Sequence, residues 1–539
     1  MNNELATPRL VVSGLSGGGG KTLVTLGLVR AFAQQGLRVA PYKKGPDYID
    51  AAWLGLASGR SATNLDQFFL AENRIRALFA NAATTQETDL AIIEGNRGLY
   101  DGRDLEGSCS TAALARVLEA PVLLVLSVTK MTRTAAAVIG GLKAFEPVNL
   151  AGIVLNRVAS SRHAALIRRS IESYTDIPVV GEIPRLPRNP LPERHMGLVS
   201  MHSESGQSFG MNEDVQEAQH ILDGLGQLLK TYANLDDILN IARTAPALRE
   251  IESFWPDPCS PEAPDTKAPI PSEPIPVSTH ISRETTTPGS SHPKTGHKCQ
   301  SGHTVRIGYV HDAALWFYYK ENLEALRRAG AEVVELGLLD PEPWPGFGSH
   351  RGLHLDGLYL GGGFPEMLPG QLSASPHLAE IRTLSLDNRP IYAECGGFMI
   401  LCRELRVDDF DYPMAGIFPA RTVFHLRPQG LGYVEACVEQ ANPFHPVGIT
   451  LRGHEFHYSS CVPLGEMKTI MRLSPGVGMA APREPARMAP VSKPCQSAPN
   501  ETLHGRDGLL VRQTFAAYTH IFAPAVPHWA TNFVAACKK

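Results

Sequence analysis

LVVSGLSGGGGKTLVTLGLVRAFAQQ, residues 10–35, is the stretch that decides the fold of this chain. A β-branched apolar run leads into a glycine loop, Lys21 and Thr22, and a helical pattern then continues to a stop at Gly36. A strand that enters a helix through glycines exposes backbone N–H groups to phosphate, the lysine reaches the terminal phosphates and the threonine can bind Mg²⁺. The residues of the predicted nucleotide site are Gly14, Gly18, Gly20, Lys21 and Thr22.

The glycine loop departs from the strict pattern G-x-x-x-x-G-K-[ST], because Leu15 stands where that pattern has its first glycine. Gly14 lies one residue earlier, and in this the loop resembles that of the dethiobiotin-synthetase-like ATPases. A flexible turn with an incidental lysine is the alternative interpretation. The strand before the loop and the helix after it favour phosphate binding.

The rest of the chain repeats the alternation of strands and helices. Apolar runs bounded by turn residues lie at 10–13, 37–42, 90–94, 122–128, 153–156 and 179–183 in the first half, and at 306–310, 333–336, 357–360 and 391–393 in the second. Strands that are apolar throughout indicate a parallel sheet with helices on both faces. We predict an α/β fold, with an N-terminal P-loop doubly wound parallel-sheet domain followed by a second α/β domain.

Two proline-rich stretches interrupt this pattern. Ten prolines fall within 256–293, where almost no apolar periodicity remains, and six fall within 475–505. Such segments bury too little surface to offset the entropy of ordering them. We predict a domain over 1–250, a linker over 251–303, and a second domain over 304–539 that carries an insertion at 475–505.

Composition excludes several classes of protein. Lys and Arg number 50 against 54 Asp and Glu, so nothing in the net charge of −4 favours nucleic acid or anionic lipid as a partner. Nine cysteines without a C-x-x-C pair indicate a reducing compartment. The N-terminus lacks a signal-peptide pattern and the apolar runs are too short for a membrane span. We expect a soluble, cytoplasmic protein.

Carboxylates follow two of the predicted strands. Asp47, Tyr48 and Asp50 come after the second strand, and Glu94 ends the third. Ligands of open α/β sheets bind at this edge, and carboxylate oxygens suit Mg²⁺ on a nucleotide. The alternative is that Asp47 and Asp50 cap the following helix.

The run YAECGGFM places Cys395 at a sharp turn between a strand and a helix. A thiol at a helix N-terminus is expected to have a lowered pKa and to act as a nucleophile. Backbone N–H groups of Gly362, Gly363 and Gly396 are candidates for an oxyanion hole.

A cysteine nucleophile needs a histidine, and the residues leave three candidates: His454, His457 and His520. His454 and His457 stand three residues apart and could form a metal pair, but no third ligand motif accompanies them. The spacing alone does not choose among the three.

Together these motifs resemble the cobyrinate a,c-diamide synthase family, glutamine-dependent amidotransferases of corrinoid biosynthesis. The resemblance covers nearly the whole chain outside the proline-rich stretches. The motifs that carry it are SGLSGGGGKT from Ser13, YKKGPDYID from Tyr42, RSATNLD from Arg60, EGNRGLYDG from Glu94, LNRV from Leu155, PERHMGLV from Pro192, DAALWFYYKENLEAL from Asp312, LGGGFPE from Leu360, YAECGGFM from Tyr392 and RGHEFHYS from Arg452.

The resemblance implies that the second domain is similar to class I glutamine amidotransferases, with Cys395 as nucleophile and His520 as its activating histidine. Glutaminases of this broad class often carry Glu two residues after the histidine, where this chain has Phe522, so a Cys–His dyad is expected. The resemblance also implies an ATP site at the glycine loop. It assigns Mg²⁺ to Thr22, Asp47 and Glu94, and the corrinoid to Tyr48 and Asp50.

The activity implied by the resemblance is ATP-dependent amidation of the a- and c-acetates of cobyrinate through acyl phosphates, in the anaerobic-type route to cobalamin. Glutamine supplies the ammonia, which needs a sheltered passage between the domains. A homodimer is plausible by the same likeness. Alternative substrates are hydrogenobyrinate, nickel-sirohydrochlorin and sirohaem, and a different class of function is a ParA/MinD-like ATPase switch with a docking domain.

Overall fold

The computed structural model describes residues 4–191, 212–255, 304–346, 354–480 and 503–539. The predicted linker lies outside the described residues from 256 onward, as does the predicted insertion between 481 and 502. The first residues of the linker stretch pack on the N-terminal half, where Phe254 is buried and its carbonyl accepts a hydrogen bond of 2.6 Å from Arg74 Nη2.

The N-terminal half is built on a parallel sheet that, in the described part of the chain, has seven strands in the order β3-β2-β4-β1-β5-β6-β7. Its strands are β1 (Arg9–Gly14), β2 (Val39–Lys44), β3 (Thr63–Leu65), β4 (Leu90–Glu94), β5 (Val122–Ser127), β6 (Leu150–Val158) and β7 (Val179–Pro184). All six predicted strands are confirmed within a few residues. β3 was not predicted, because three residues are too few to show a period.

Helices cover both faces of this sheet. They are α1 (Lys21–Gln34), α2 (Tyr48–Ser58), α3 (Glu72–Thr85), α4 (Thr111–Val117), α5 (Thr134–Phe145), α6 (Ser161–Thr175), α7 (Asn212–Tyr232) and α8 (Leu235–Arg243). One apolar cluster joins one face of the sheet to α3 and α4, and a second joins the other face to α1 and α7. The predicted doubly wound fold is therefore confirmed.

The C-terminal half also has an α/β fold. Its strands are β8 (Val305–Val310), β9 (Leu315–Phe317), β10 (Ala331–Leu336), β11 (Gly357–Leu360), β12 (Gly362–Gly363), β13 (Ile391–Glu394), β14 (Cys402–Val407), β15 (Phe410–Pro413), β16 (Phe418–Phe424), β17 (Gly430–Val438), β18 (Thr450–His457), β19 (Ser459–Pro463), β20 (Thr469–Leu473), β21 (Arg506–Val511), β22 (Thr514–Ala517) and β23 (His520–Ile521). Its helices are α9 (Lys320–Arg328), α10 (Pro369–Ser373), α11 (His377–Leu386), α12 (Gly396–Leu401) and α13 (His528–Cys537).

The main sheet of this half changes character along its width. Among the described residues it runs β10-β8-β11-β13-β22-β21-β20-β17-β18-β23. The strands from β10 to β22 pair in parallel, and those from β22 to β23 pair antiparallel. β22 and β23 stand apart in this order, yet only Tyr518 and Thr519 separate them along the chain. The antiparallel part must therefore curl back on itself, because a chain advances at most ~3.6 Å per residue.

The two halves touch through polar contacts as well as apolar ones. The Tyr319 hydroxyl donates to the carbonyl of Pro46 at 3.0 Å, and the Tyr433 hydroxyl donates to Asp66 Oδ2 at 2.9 Å. These contacts bring the carboxyl edge of the first sheet against β17, β18 and the segment after β9. No helix within the described ranges is long and apolar enough to cross a membrane.

Candidate active site

The glycine loop between β1 and α1 forms an open cradle. Gly18 and Gly20 have φ angles of +72° and +94°, in the region that favours glycine. A side chain at Gly20 would overlap Asn156, whose Nδ2 donates to the carbonyl of Gly19 at 3.0 Å. At Gly17 and Gly18 a Cβ atom would meet nothing within 4 Å, so the loop faces open space. The loop thus has room for the predicted phosphates.

Buried charges lie directly beneath the cradle. Thr22 Oγ1 donates to Glu94 Oε1 at 2.6 Å, and Lys43 pairs with Asp50 and, at 3.4 Å, with Glu94. Burial disfavours the charge on Lys43, but Asp50 and Glu94 raise its pKa above the ordinary value. Burial raises the pKa of Glu94, and lowers that of Lys21.

The donor set at this point fits Mg²⁺ bound with a nucleotide. Glu94 Oε2 is buried and has no hydrogen-bond partner among the described residues, and the Thr22 hydroxyl lies beside the same carboxylate. Mg²⁺ is usually held by one or two protein oxygens together with substrate phosphates and water. No group of three or more His, Cys, Asp or Glu that could hold a metal occurs in the described part of the chain.

Asp47 and Asp50 take different positions at the start of α2. Asp47 Oδ1 accepts a hydrogen bond of 2.9 Å from the Asp50 N–H and caps the helix, which is the alternative that the sequence left open. Asp50 pairs with Lys43. Both carboxylates line the cleft described next.

A cleft of about 1510 Å³ lies between the two halves. The N-terminal half lines it with Gly18, Gly20, Lys21, Thr22, Asp47, Tyr48 and Asp50. The C-terminal half lines it with Phe317, Phe364, Tyr433, His454 and Phe456. Except for Gly14, the predicted nucleotide and substrate residues therefore share one cavity, with Glu94 buried beneath it.

Cys395 stands at the predicted elbow between β13 and α12. Its φ of +47° is unusual for a residue with a side chain and marks backbone strain of the kind found at active sites. The residue is only 2% exposed, and Sγ lies 3.5 Å from the carbonyl oxygen of Phe456. The prediction of a lowered pKa is wrong for this arrangement: burial, followed by the nearby Glu366 carboxylate, raises the pKa of the thiol well above its ordinary value.

His520 comes just after β22, the strand that pairs with the cysteine strand β13. It is fully buried, and a side chain at Gly362 would overlap its ring. A Cβ atom at Gly396 would lie 2.9 Å from the backbone nitrogen of Gly363. Gly362 therefore adjoins His520, and Gly363 adjoins Gly396, the residue that directly follows Cys395.

The other two candidate histidines have separate surroundings. His454 stacks on His520, with ring centroids 4.9 Å apart, and its Nδ1 has no hydrogen-bond partner among the described residues. Burial, followed by the charge of His520, lowers the pKa of His454 well below its ordinary value. His457 stacks instead on Tyr518 at 3.8 Å and bonds the Ser459 carbonyl.

Tyr48 joins the two sets of residues. Its ring stacks on Phe317 at 4.9 Å, and its centroid lies 5.4 Å from that of His520 and 5.6 Å from that of His454. The predicted substrate residue of one half therefore touches the predicted activating histidine of the other.

Sequence reasoning missed three features of this region: the role of Lys43, the placement of His454 beside His520, and the carboxylate of Glu394. Glu394 Oε2 lies 3.4 Å from His520 Nδ1. A lysine inside an otherwise apolar strand was a usable signal for Lys43. Nothing in the spacing could place Glu394 or His454 beside His520, because the contacts depend on how the sheet curls.

Two family models match this chain. Residues 10–199 match the CobQ/CobB/MinD/ParA nucleotide binding domain, and residues 306–526 match the CobB/CobQ-like glutamine amidotransferase domain. A nucleotide-binding half joined to a glutamine amidotransferase half defines a glutamine-hydrolysing carbon–nitrogen ligase.

Relatives match over almost the full length. The cobyrinate a,c-diamide synthase of Magnetococcus marinus is 36% identical over 97% of this chain and 96% of its own length. Those of Dehalococcoides mccartyi and Archaeoglobus fulgidus are 33% and 32% identical, each over 98% of this chain and 97% of their own length. Among solved structures, one of a glutamine amidotransferase aligns with 43% of this chain and 99% of its own, at 17% identity and a TM-score of 0.29.

The chain belongs to the cobyrinate a,c-diamide synthase family. It is therefore an enzyme that uses ATP and glutamine for amidation. These relatives give no support to the alternative of a nucleotide switch with a non-catalytic docking domain.

Proposed function

We propose that the enzyme amidates the a- and c-acetate carboxylates of cobyrinate, through acyl phosphates, with ammonia taken from glutamine. The observation that carries this proposal is the single cleft lined by the phosphate cradle on one side and by Phe317 and His454, neighbours of His520, on the other. The glutaminase reaction releases ammonia and the synthase reaction consumes it, so the two sites have to lie close together.

The glutaminase reaction uses the buried C-terminal residues. Cys395 attacks the carboxamide carbon of glutamine, its thiol proton passes to His520, and the oxyanion is stabilised by N–H groups at Gly362, Gly363 and Gly396. His520 then donates the proton to the departing nitrogen, so that ammonia leaves and a glutamyl thioester remains. Water hydrolyses the thioester to glutamate. Because burial raises the pKa of the thiol, proton transfer to His520 is required at neutral pH.

The synthase reaction uses the N-terminal cradle. Lys21 and the loop N–H groups bind the ATP phosphates, and the buried Lys43 keeps positive charge beneath them. Thr22 and Glu94 would hold Mg²⁺, with Asp47 nearby at the cleft, and the ion would neutralise phosphate charge during transfer. Tyr48 and Asp50 face the acetate that attacks the γ-phosphate. Ammonia then displaces phosphate from the acyl phosphate to form the amide.

Ammonia has to reach the cleft without meeting bulk water, where it would become ammonium. Tyr48 contacts His520, and His454 contacts both of them. Ammonia released beside His520 would therefore have to cross only this one layer of side chains to reach the cleft. We propose that this layer is the exit from the glutaminase site.

The substrate is tested by incubating the purified enzyme with ATP, Mg²⁺ and glutamine, and with cobyrinate, hydrogenobyrinate, sirohaem or nickel-sirohydrochlorin in turn. Mass spectrometry of the products should show two successive amidations of cobyrinate. Amidation of another tetrapyrrole, with cobyrinate unchanged, would replace the substrate in this proposal while retaining its chemistry.

The nucleophile is tested by the variant Cys395→Ser. Glutamine-dependent amidation should fall by at least about 10³-fold, because the thiolate is lost, whereas amidation with added ammonium should persist. An unchanged rate with glutamine would remove Cys395 from the mechanism. Cys402→Ser is a matched control, because this second cysteine is buried in the same half at the other end of α12.

A further inference from the structure

We propose that Glu394 is the carboxylate member of a Cys395–His520–Glu394 triad, supplied by the residue just before the nucleophile. The inference rests on the glutaminase role of Cys395 and His520 proposed above and adds a positioning residue to it. It explains how the site has a carboxylate although Phe522 occupies the position where related glutaminases often carry Glu.

The geometry carries the proposal. Glu394 Oε2 lies 3.4 Å from His520 Nδ1, and both side chains are at most 1% exposed. Within the described ranges, no other carboxylate oxygen pairs with a ring nitrogen of His520 within 4 Å. Neither ring nitrogen of His520 has a hydrogen bond to any described residue, so the carboxylate and the imidazole are in reach without competing partners. Catalytic hydrogen bonds are often long before substrate binds and tighten in the complex.

The neighbours of Glu394 hold its carboxylate toward the histidine. Oε2 accepts a hydrogen bond of 3.2 Å from the Tyr359 hydroxyl, and Oε1 accepts one of 3.2 Å from the Ile521 N–H. Asn322 Nδ2 in turn donates to the Tyr359 oxygen at 3.2 Å and to the Ile521 carbonyl at 3.0 Å. The carboxylate is therefore fixed on both oxygens by groups that also fix the strand of His520.

This arrangement has a chemical consequence. A carboxylate that accepts the Nδ1 proton leaves Nε2 as the nitrogen that can take the thiol proton, and it stabilises the imidazolium that results. The Cys395 thiol is buried and needs a strong proton acceptor. A carboxylate next to His520 strengthens the imidazole as an acceptor, which a Cys–His dyad in an apolar pocket lacks. Glu394 touches no reacting atom, and its effect is exerted through His520.

The test uses the full-length enzyme with ATP, Mg²⁺, corrinoid and glutamine. Glu394→Gln keeps the shape and removes the charge. We expect glutaminase kcat to fall about 10²-fold, with the KM for glutamine changed less than about threefold. The acidic limb of the kcat/KM profile should move to lower pH, because the imidazolium loses its counter-charge. Glu394→Asp keeps the charge and should restore most of the activity and the original limb.

Two further variants separate positioning from a structural role. Tyr359→Phe removes one donor to Glu394 and should lower kcat about tenfold with a smaller shift of the same limb. Glu380→Gln is the control, because Glu380 Oε2 lies 2.6 Å from His377 Nδ1 in another buried pair of this half. It should change the thermal midpoint without moving the limb. Amidation with added ammonium should persist in each folded variant.

The outcomes distinguish this inference from the proposed function. A wild-type enzyme without glutaminase activity contradicts the function itself. An active wild type whose Glu394→Gln variant keeps its kcat and pH profile overturns the triad. If Glu394→Gln does not fold, Tyr359→Phe and Glu394→Asp decide. A limb that stays in place in both variants overturns the triad. A limb that moves in Tyr359→Phe, and moves less in Glu394→Asp, supports it.

Discussion

Glu366, three residues after the glycine pair of β12, is a partly buried ionisable residue. Its Oε2 is buried without a hydrogen-bond partner among the described residues, and burial raises the pKa of this carboxyl to about 7. The folded protein therefore binds this proton more tightly than the unfolded chain does. The stabilisation is present below about pH 4.5 and is lost as the pH rises to about 7.

Glu366→Gln should remove this pH dependence. Relative to the wild type, the variant should gain about 3 kcal/mol of unfolding free energy between pH 5 and pH 8, because it has no charge to bury. Denaturant unfolding of the C-terminal half at the two pH values measures the difference. A constant offset between variant and wild type across this range would mean that the carboxylate is solvated in the native state.

At the scale of single elements, the turn between β1 and α1 depends on Gly20. The positive φ of this residue and its contact with Asn156 leave no room for a side chain. Gly20→Ala should weaken ATP binding by at least about tenfold, because the loop must shift away from the phosphates. Isothermal titration with ATP and Mg²⁺ measures the effect. Gly19→Ala is the matched control, since Gly19 does not line the cleft and a Cβ there would meet only the Ser16 carbonyl at 3.6 Å, an ordinary contact. Equal losses in both variants would contradict the argument.

Elements were predictable from the sequence where burial on two sides makes a strand apolar throughout. The strands predicted for the first sheet, and β8, β11 and β13 in the second, follow this rule. The edge strand β10 was predicted from its apolar residues, although most of it is only partly buried. The strands β9, β12, β14–β17 and β19–β23 were not predicted. Several of them alternate buried and more exposed residues, as in β16 and β17, and polar positions there mask the signal.

Some residues of the candidate site were also predictable from the sequence, and others were not. The phosphate cradle and Cys395 lie at strand-to-helix turns, whose glycines are visible in the sequence. The carboxylate next to His520 was not predictable, because Glu394 is 126 positions away along the chain and reads simply as the last residue of a strand. The raised pKa of the Cys395 thiol was also missed, because the sequence shows the helix N-terminus but does not show that the thiol is buried.

At the scale of the whole molecule, Tyr48 lines the cleft and contacts His520, so it belongs to the side-chain layer proposed as the ammonia exit. Tyr48→Ala should open this layer and let ammonia exchange with solvent. With ¹⁵N-amide glutamine in unlabelled ammonium, the wild type should incorporate mainly ¹⁵N, and the variant should incorporate several-fold more unlabelled nitrogen and release glutamate in excess over amide. Mass spectrometry of the product measures the ratio.

Tyr48→Phe is the control for this experiment, because it keeps the ring that stacks on Phe317 and contacts His520. It should retain the isotope ratio of the wild type. Equal isotope ratios in Tyr48→Ala and the wild type would show that nitrogen transfer does not depend on this side chain.

The curl of the second sheet has a consequence for how the enzyme tolerates change. β23, which begins with His520, pairs with β18 although only two residues separate it from β22. The antiparallel strands therefore curl round to the histidine that is proposed to activate Cys395. β20 and β21 belong to the same curled part of the sheet, and they pair with each other across residues 475–505. The segment between β20 and β21 can therefore differ in length while the spacing of Glu394, His520 and Cys395 stays the same.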